Sequence, residues 1–438
     1  MRVLIICNDF PPLNSIGARR PASWFQWFKK KGVEPVVVTK QWNANVEMPE
    51  DVLKNSSASE TMHEQNEFGT IIRVPVKLIP PEKLLLRYGI SKKKLYRKFL
   101  TLIYKSFSFC FFSFDKHRQL YEEARKFLQQ EKVDAILITG EPFVLFRYGY
   151  LLKKEFGIPW IADYRDGWKL NHVARFQTGI LNHLLQRWEF YFEKKFISNS
   201  SLITAPDNYL GEKLGKLHKK NFRAVFNGFD EFLPPKRMEH PDSIGNNSQK
   251  LLLAHTGTLT QGQRVEFLLS SILELHEEGK ISPEDIQIQF VGLDYYEAQS
   301  ARVKNFNPKI FEYIKTTPRI SRERAMEINS SSDLLIAFTE ENYQAIFAKV
   351  YDYLAAQKPI LVLPSDDGLL SAIVSETQSG ISLSEKDELK KFLADQIQLK
   401  KSEGNSMQIS SDREKVLFYS RENQSAQMVQ FIKELIRK

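Results

Sequence analysis

Residues 333–363 constrain the fold more than any other stretch of the chain. Asp333-Leu-Leu-Ile-Ala337 and Ile360-Leu-Val-Leu363 are short apolar runs of strand length. Between them, Ala345 to Ala356 has helical spacing. Lys358-Pro359 ends that helix, because proline cannot continue one and restricts the residue before it. Strand, loop (338–343), helix and strand in that order make a parallel unit whose strands are buried on both faces. The helix N-terminus turns unpaired N–H groups and the positive end of its dipole toward the loop. An anion such as a diphosphate is the natural occupant. Lys349, in the first turn, adds positive charge. Asp352, three residues on and on the same face, is placed to accept a hydrogen bond from a sugar hydroxyl. The same spacing also suits an ordinary unit with a surface lysine and aspartate.

The alternation runs through the whole chain. Residues 2–7 read as a strand, 18–31 as a helix capped by Gly32, and 36–39 as the next strand. A polar loop over 41–70 follows. Strands are expected at 71–76, 135–138, 160–163, 202–204 and 224–226, with helices at 119–130, 144–156 and 181–196. Residues 231–250 hold paired prolines and Asn246-Asn-Ser248, which marks a linker. The pattern then restarts with a strand at 251–255, a helix at 265–278 and a strand at 286–291. This predicts an α/β chain of two Rossmann-like, doubly wound parallel-sheet domains facing across a cleft, with sites at the carboxyl ends of strands. The boundaries are 1–230, a linker at 231–250, a second domain at 251–415 and a terminal amphipathic helix at 416–438.

Candidate residues cluster at those strand ends. Asp163, Arg165 and Asp166 crowd the loop after one strand, either as site groups or as a loop ion pair. Gly17 lies in the loop after the first strand, where glycine permits close approach. There is no G-x-G-x-x-G, so a dinucleotide fingerprint is absent. Gly257 and Arg264 occupy the equivalent loop of the second domain. His172, His183 and His218 lack metal-ligand spacing, two cysteines make no disulfide framework, and no Asp-x-Asp occurs.

The net charge of +9 leaves anionic partners open. It concentrates in one segment. Residues 83–114 hold eight basic residues and no acid, interleaved with Leu, Tyr and Phe. That mixture fits a surface lying on an anionic membrane, or an insertion that packs its aromatics inward. No nucleic-acid module accompanies it, so nucleic acid is not an expected partner. No signal peptide or spanning helix is expected.

Together these stretches resemble the GT-B glycosyltransferases of the family-4 type. Lys349-Val-Tyr-Asp-Tyr-Leu-Ala-Ala-Gln-Lys-Pro359 is similar to that family's K-hydrophobic-aromatic-E-Y-L-A-x-x-K-P helix. Pro11-Pro12, Gly17 and Arg20 match its PP…G…R opening. Asp163-Tyr-Arg-Asp-Gly-Trp168 and Asn227-Gly-Phe-Asp230 match its D-x-R-D-x-W and N-G-x-D. Asp352 takes the second place of the family's E-x7-E pair and Gln344 the first. Arg165 stands where related enzymes carry a histidine. The usual G-R-x4-K is reduced to Arg264.

The resemblance implies a retaining glycosyltransferase that moves a sugar from a nucleotide-sugar to a polysaccharide or lipid-linked acceptor, with no metal and no other cofactor. It implies catalytic roles for Asp163, Arg165 and Asp166. It implies donor binding by Gly17, Arg20, Gly257, Arg264, Gln344, Ala345, Phe347, Lys349 and Asp352. It also implies a terminal helix that returns to the first domain. The expected place is the cytoplasm, peripherally on the inner face of the membrane. A nucleotide-sugar epimerase of the same fold and a non-catalytic membrane-associated assembly subunit stay open as alternatives.

Overall fold

The computed structural model describes residues 1–13, 15–42, 59–89, 91–170, 179–233, 249–341, 344 and 346–437. They divide into two compact units, Met1–Phe226 with Arg421–Lys438, and Asn227–Ser420.

The first unit holds strands β1 (Arg2–Ile6), β2 (Glu34–Lys40), β3 (Met62–Gln65), β4 (Thr70–Val74), β5 (Ala135–Thr139), β6 (Trp160–Asp163), β7 (Leu202–Ala205) and β8 (Phe222–Ala224). Their order in the sheet is β3-β4-β2-β1-β5-β6-β7-β8. All neighbours are parallel except β3, which pairs antiparallel with β4. The central strands carry unbroken apolar runs, Val3–Ile6 in β1 and Ala135–Ile138 in β5, because both faces are covered. Leu4 and Ile6 join one layer with Val36, Val38, Ile136 and Ile138. Val3 and Ile5 join the other with Val37 and Leu137. Helix Ile16–Phe28 contributes Trp24 and Phe28 to that second layer, and helix Arg421–Ile436 contributes Met428, Val429 and Ile432.

The second unit is a six-stranded sheet of β9 (Leu251–Thr256), β10 (Ile286–Val291), β11 (Ile314–Thr316), β12 (Leu334–Phe338), β13 (Ile360–Leu363) and β14 (Gly380–Ser382). The order β11-β10-β9-β12-β13-β14 is parallel throughout. The order reverses at β9, whose first neighbours are β10 and β12. That is the topological switch point, where open α/β sheets bind ligands beyond the strand carboxyl ends.

Several expectations are corrected. The helix expected from Ala345 runs from Ala348 to Ala356, because Phe347 is extended (φ −67°, ψ 142°) and caps it instead. The strand expected at 224–226 is β8, two residues earlier. The terminal helix is broken. Arg413–Phe418 and Arg421–Ile436 are separate helices, and Ser420 makes a strand-like bridge to Phe229 between them. The polar loop at 41–70 contains β3, while residues 43–58 lie outside the described ones. The helix expected at 181–196 is Ile180–Ile197, and part of it packs into the core through Phe192 and Phe196. Yet Ile180, Leu184, Trp188 and Tyr191 are exposed. The insertion divides likewise. Phe109 is buried and stacks on Phe192, while helix Lys94–Ser108 buries no residue and exposes Leu95, Tyr96, Phe99 and Phe107.

Candidate functional site

In the second unit, β9 and β12 run side by side and end at two loops, one holding Gly257 and Thr258, the other leading to helix Ala348–Ala356. Among the described residues, no side chain caps the N-terminus of that helix. Lys349 does not extend into the loop as a free cation. Its ammonium donates to Nε2 of His255 at 2.8 Å and to the Thr258 carbonyl at 3.1 Å. His255 is fully buried on β9, and its Nδ1 faces the Ile336 carbonyl at 2.9 Å. A carbonyl only accepts, so Nδ1 carries the proton and Nε2 is the acceptor for Lys349. Burial, and then the neighbouring Lys349, holds the imidazole well below its usual pKa. Burial alone pushes Lys349 down to about 7. Although Lys349 is only half-buried as a residue, its ammonium end is the part enclosed.

Gly257 sits over this lysine with φ +95°. A Cβ there would meet Lys349 Cε and Nζ at the ordinary contact distances of 3.6 and 3.7 Å. Its backbone conformation, not lack of room, therefore calls for glycine. Tyr353, on the same helix as Lys349, accepts from the Thr256 N–H at 2.9 Å and so ties the loop to the helix.

Arg264 donates from Nη2 to the Thr339 hydroxyl at 3.0 Å, and its backbone N–H donates to the Thr339 carbonyl. Its Nε is buried and has no partner among the described residues. Such an atom costs about 1–3 kcal/mol unless something satisfies it. Asp352 is bound by Arg322 Nη2 at 3.2 Å, and Arg322 Nη1 reaches Asp230 at 3.1 Å. Gln344 lies against the backbone of Gly368, where a Cβ would stand 2.5 Å from its Nε2. Ala345 lies outside the described residues.

In the first unit, Asp163 at the end of β6 is fully buried. It accepts from Arg20 Nη2 at 2.6 Å and Nε at 3.0 Å, and from the hydroxyls of Thr204 at 2.7 Å and Thr139 at 3.3 Å. Arg20 also donates to the Val225 carbonyl. This is a closed network. Neither Arg20 nor Asp163 presents a free group to a ligand.

Arg165 is different. Its guanidinium fills the space above Gly17, where a Cβ would stand 2.1 Å from Nη1. It reaches Asp9 at 3.5 Å and Glu141 at 3.3 Å, so the loops after β1, β5 and β6 meet there. Asp166 is exposed as a residue, but its carboxyl sits among protein atoms. That crowding, with the negative charge of Glu141, pushes it up to about 6. Among the described residues, no group of three or more His, Cys, Asp or Glu could hold a metal ion.

No family model matches the sequence, and no curated protein matches it. Solved structures do. Sucrose-phosphate synthase from Thermosynechococcus elongatus is similar with a TM-score of 0.61 at 14% identity, over 100% of this chain and 99% of that one. A glycosyltransferase from Rickettsia africae ESF-5 gives 0.58 at 12% identity, over 100% and 99%. A UDP-forming alpha,alpha-trehalose-phosphate synthase from Burkholderia vietnamiensis gives 0.60 at 12%, over 100% and 99%. The fold is GT-B.

Within this GT-B chain, three residues near the candidates had not been singled out. His255 was one residue in a strand pattern, and nothing local marks it as the partner of a lysine 94 positions away. Arg322 stood in a basic stretch with Arg319 and Arg324 and carried no spacing signal. Glu141 offered one signal, the Gly140-Glu141-Pro142 turn after β5. It holds φ +65°, a strained conformation for a residue with a side chain.

Proposed function

We propose that this chain is a retaining glycosyltransferase that moves a sugar from a nucleotide-sugar donor to a polysaccharide or lipid-linked acceptor of the cell surface. The observation that carries the reading is the second unit's switch point. There a helix N-terminus that no described side chain caps, the Lys349 ammonium and the Arg264 Nε, which has no partner among the described residues, belong to the two loops beyond β9 and β12. A diphosphate would satisfy these groups together, and its charge would be met by preorganised donors as the bond to the sugar breaks. Asp352 and Arg322 supply an acceptor and a donor for the ribose side. In the first unit, Arg165, with Asp9, Glu141 and Asp166, supplies the charged groups for the transfer step, and the Arg20–Asp163 pair holds their loop in place. Leaving-group charge falls to the chain's own cations, so turnover needs no divalent metal.

The exposed apolar side chains of helices Lys94–Ser108 and Ile180–Ile197 support a peripheral seat on an anionic membrane. The two helices are joined by the hydrogen bond from Trp188 Nε1 to the Ser106 carbonyl at 3.0 Å. Together they expose Leu95, Phe99, Ile180, Leu184 and Tyr191 beside Lys92, Lys93, Lys94 and Lys98. Among the described residues, no helix is long and apolar enough to cross a membrane.

The deciding experiment is a thermal-shift screen of UDP, GDP, ADP and their sugars, followed by donor hydrolysis with the ligand that binds. A raised melting point together with slow sugar release is expected. Binding without any turnover would favour the assembly-subunit reading, and epimerised sugar would favour the epimerase.

A further inference from the structure

The first unit holds a half-open cavity of about 670 Å³ that none of the groups above explains. Its volume is that of a small-molecule pocket. One wall is helix Lys94–Ser108, through Thr101 and Tyr104, and another is helix Ile180–Ile197, through Leu185. The far wall is Phe143 stacked on Trp168, with centroids 5.0 Å apart and planes 3° from parallel. Leu85 and Phe114 add further apolar surface to the lining.

The charged groups in that lining are largely matched to one another. Lys116 pairs with Glu82 at 2.5 Å and Lys105 with Glu189 at 2.7 Å, while Asp115 accepts from the Tyr148 hydroxyl at 2.7 Å. They do not select for an ionic occupant. Arg97 also lines the cavity and donates to the Gly89 carbonyl at 2.8 Å, and Thr101, Ser108, Asn182 and Gln186 add neutral polar groups. His117 is buried, and its Nδ1 has no partner among the described residues. Glu141 lines the cavity and also binds Arg165, so the pocket ends at the loop cluster described above.

We propose that this cavity seats the non-polar body of the acceptor, an amphiphile whose hydroxyl-bearing end lies at Glu141. The inference rests on the glycosyl-transfer reading and names the acceptor's chemical class. Hydrophobic walls recognise the body, and Glu141 meets the polar end. A purely hydrophilic glycan would leave Tyr104, Phe114 and Phe143 facing water. The cavity lies against the two helices that expose apolar side chains, so an acceptor lodged in a membrane surface has the shortest approach to it.

The test uses the full chain and calorimetry with n-octyl β-glucoside below its micellar concentration, against methyl β-glucoside, without nucleotide. Saturable octyl-glucoside binding is expected, at least tenfold tighter than methyl-glucoside binding. Leu185→Arg, which puts a charge in the wall, and Thr101→Trp, which fills the cavity from an exposed helix position, should each weaken it tenfold or more. Both variants should keep the wild-type melting curve. Equal affinity for the two glycosides overturns the proposal, and so does near wild-type affinity in either folded variant. Nucleotide binding is scored separately, so loss of the donor reading and loss of this one are distinguishable.

Discussion

Lys349 donates its proton toward His255, 2.8 Å away, and His255 passes its own Nδ1 proton toward the Ile336 carbonyl. The lysine is thus held by a neutral acceptor instead of a carboxylate. Its pKa of about 7 follows from burial. Diphosphate affinity is expected to fall as pH rises through about 7, because a neutral lysine adds no charge. Calorimetry in buffers of different ionisation enthalpy should show proton uptake on binding above that pH. Stability moves with pH in the opposite direction. The folded lysine releases its proton near 7 and the unfolded one near 10.5, so Lys349 favours folding increasingly as pH rises across that window. Lys349→Met should flatten both profiles.

Gly17→Ala places a Cβ in the position of the Arg165 guanidinium. The arginine must leave Asp9 and Glu141. Turnover is expected to fall by a factor of ten or more while donor affinity stays within twofold, since the disturbed groups belong to the transfer step. Steady-state kinetics beside donor calorimetry checks the split. Equal losses in both would show that the loop binds donor.

Arg20→Ala leaves Asp163 charged, buried and without its main partner. Removing one side of a buried pair typically costs about 3–5 kcal/mol. Urea denaturation should report a loss of that size, with unchanged diphosphate affinity in protein that remains folded. Arg20→Ala with Asp163→Asn should recover part of it, because the second change removes the orphaned charge.

Arg264→Ala should weaken nucleoside diphosphate binding by roughly 1–3 kcal/mol, the size of a charge-assisted hydrogen bond. Asp352→Asn should act differently. It frees Arg322 from one carboxylate, so discrimination between ribose and deoxyribose nucleotides should shrink more than affinity for the diphosphate. Competition between UDP and dUDP reads this directly.

Sedimentation with anionic vesicles, but not neutral ones, is expected of the wild type and should weaken steeply with salt. Replacing Lys92, Lys93 and Lys94 by glutamate should abolish it. Leu184→Ser with Phe99→Ser should reduce it without changing its salt dependence, because those residues supply area, not charge.

The sheets were legible in the sequence for a physical reason. Strands such as β1, β5 and β12 are buried on both faces, and a run such as Ala135-Ile-Leu-Ile-Thr139 has no other stable use between two helices. Ends were harder to read. The start of the helix carrying Lys349 depends on the extended backbone of Phe347, which no capping side chain announces. Pairing was hardest. Arg20 and Asp163 are 143 residues apart, and both were read as ligand-facing from their motifs. Only the closure of β6 beside β5 and β7 brings Thr139 and Thr204 onto the same carboxylate. The facing of helix Ile180–Ile197 was hard to read for a related reason. Its aromatics surround it, and periodicity could not say that Phe192 goes inward while Tyr191 stays out.

The chain leaves the first unit after Phe226 and re-enters it at Arg421. The two passages are stitched on both sides. Phe226 N–H donates to Gln424 at 2.8 Å, and Phe229 N–H donates to the Tyr419 carbonyl at 3.2 Å. The unit that begins first during synthesis is therefore the last to be finished. Trp24 and Phe28 keep an uncovered apolar face until Met428, Val429 and Ile432 emerge from the ribosome. By then the contiguous Asn227–Ser420 unit has already had its whole sequence available to fold.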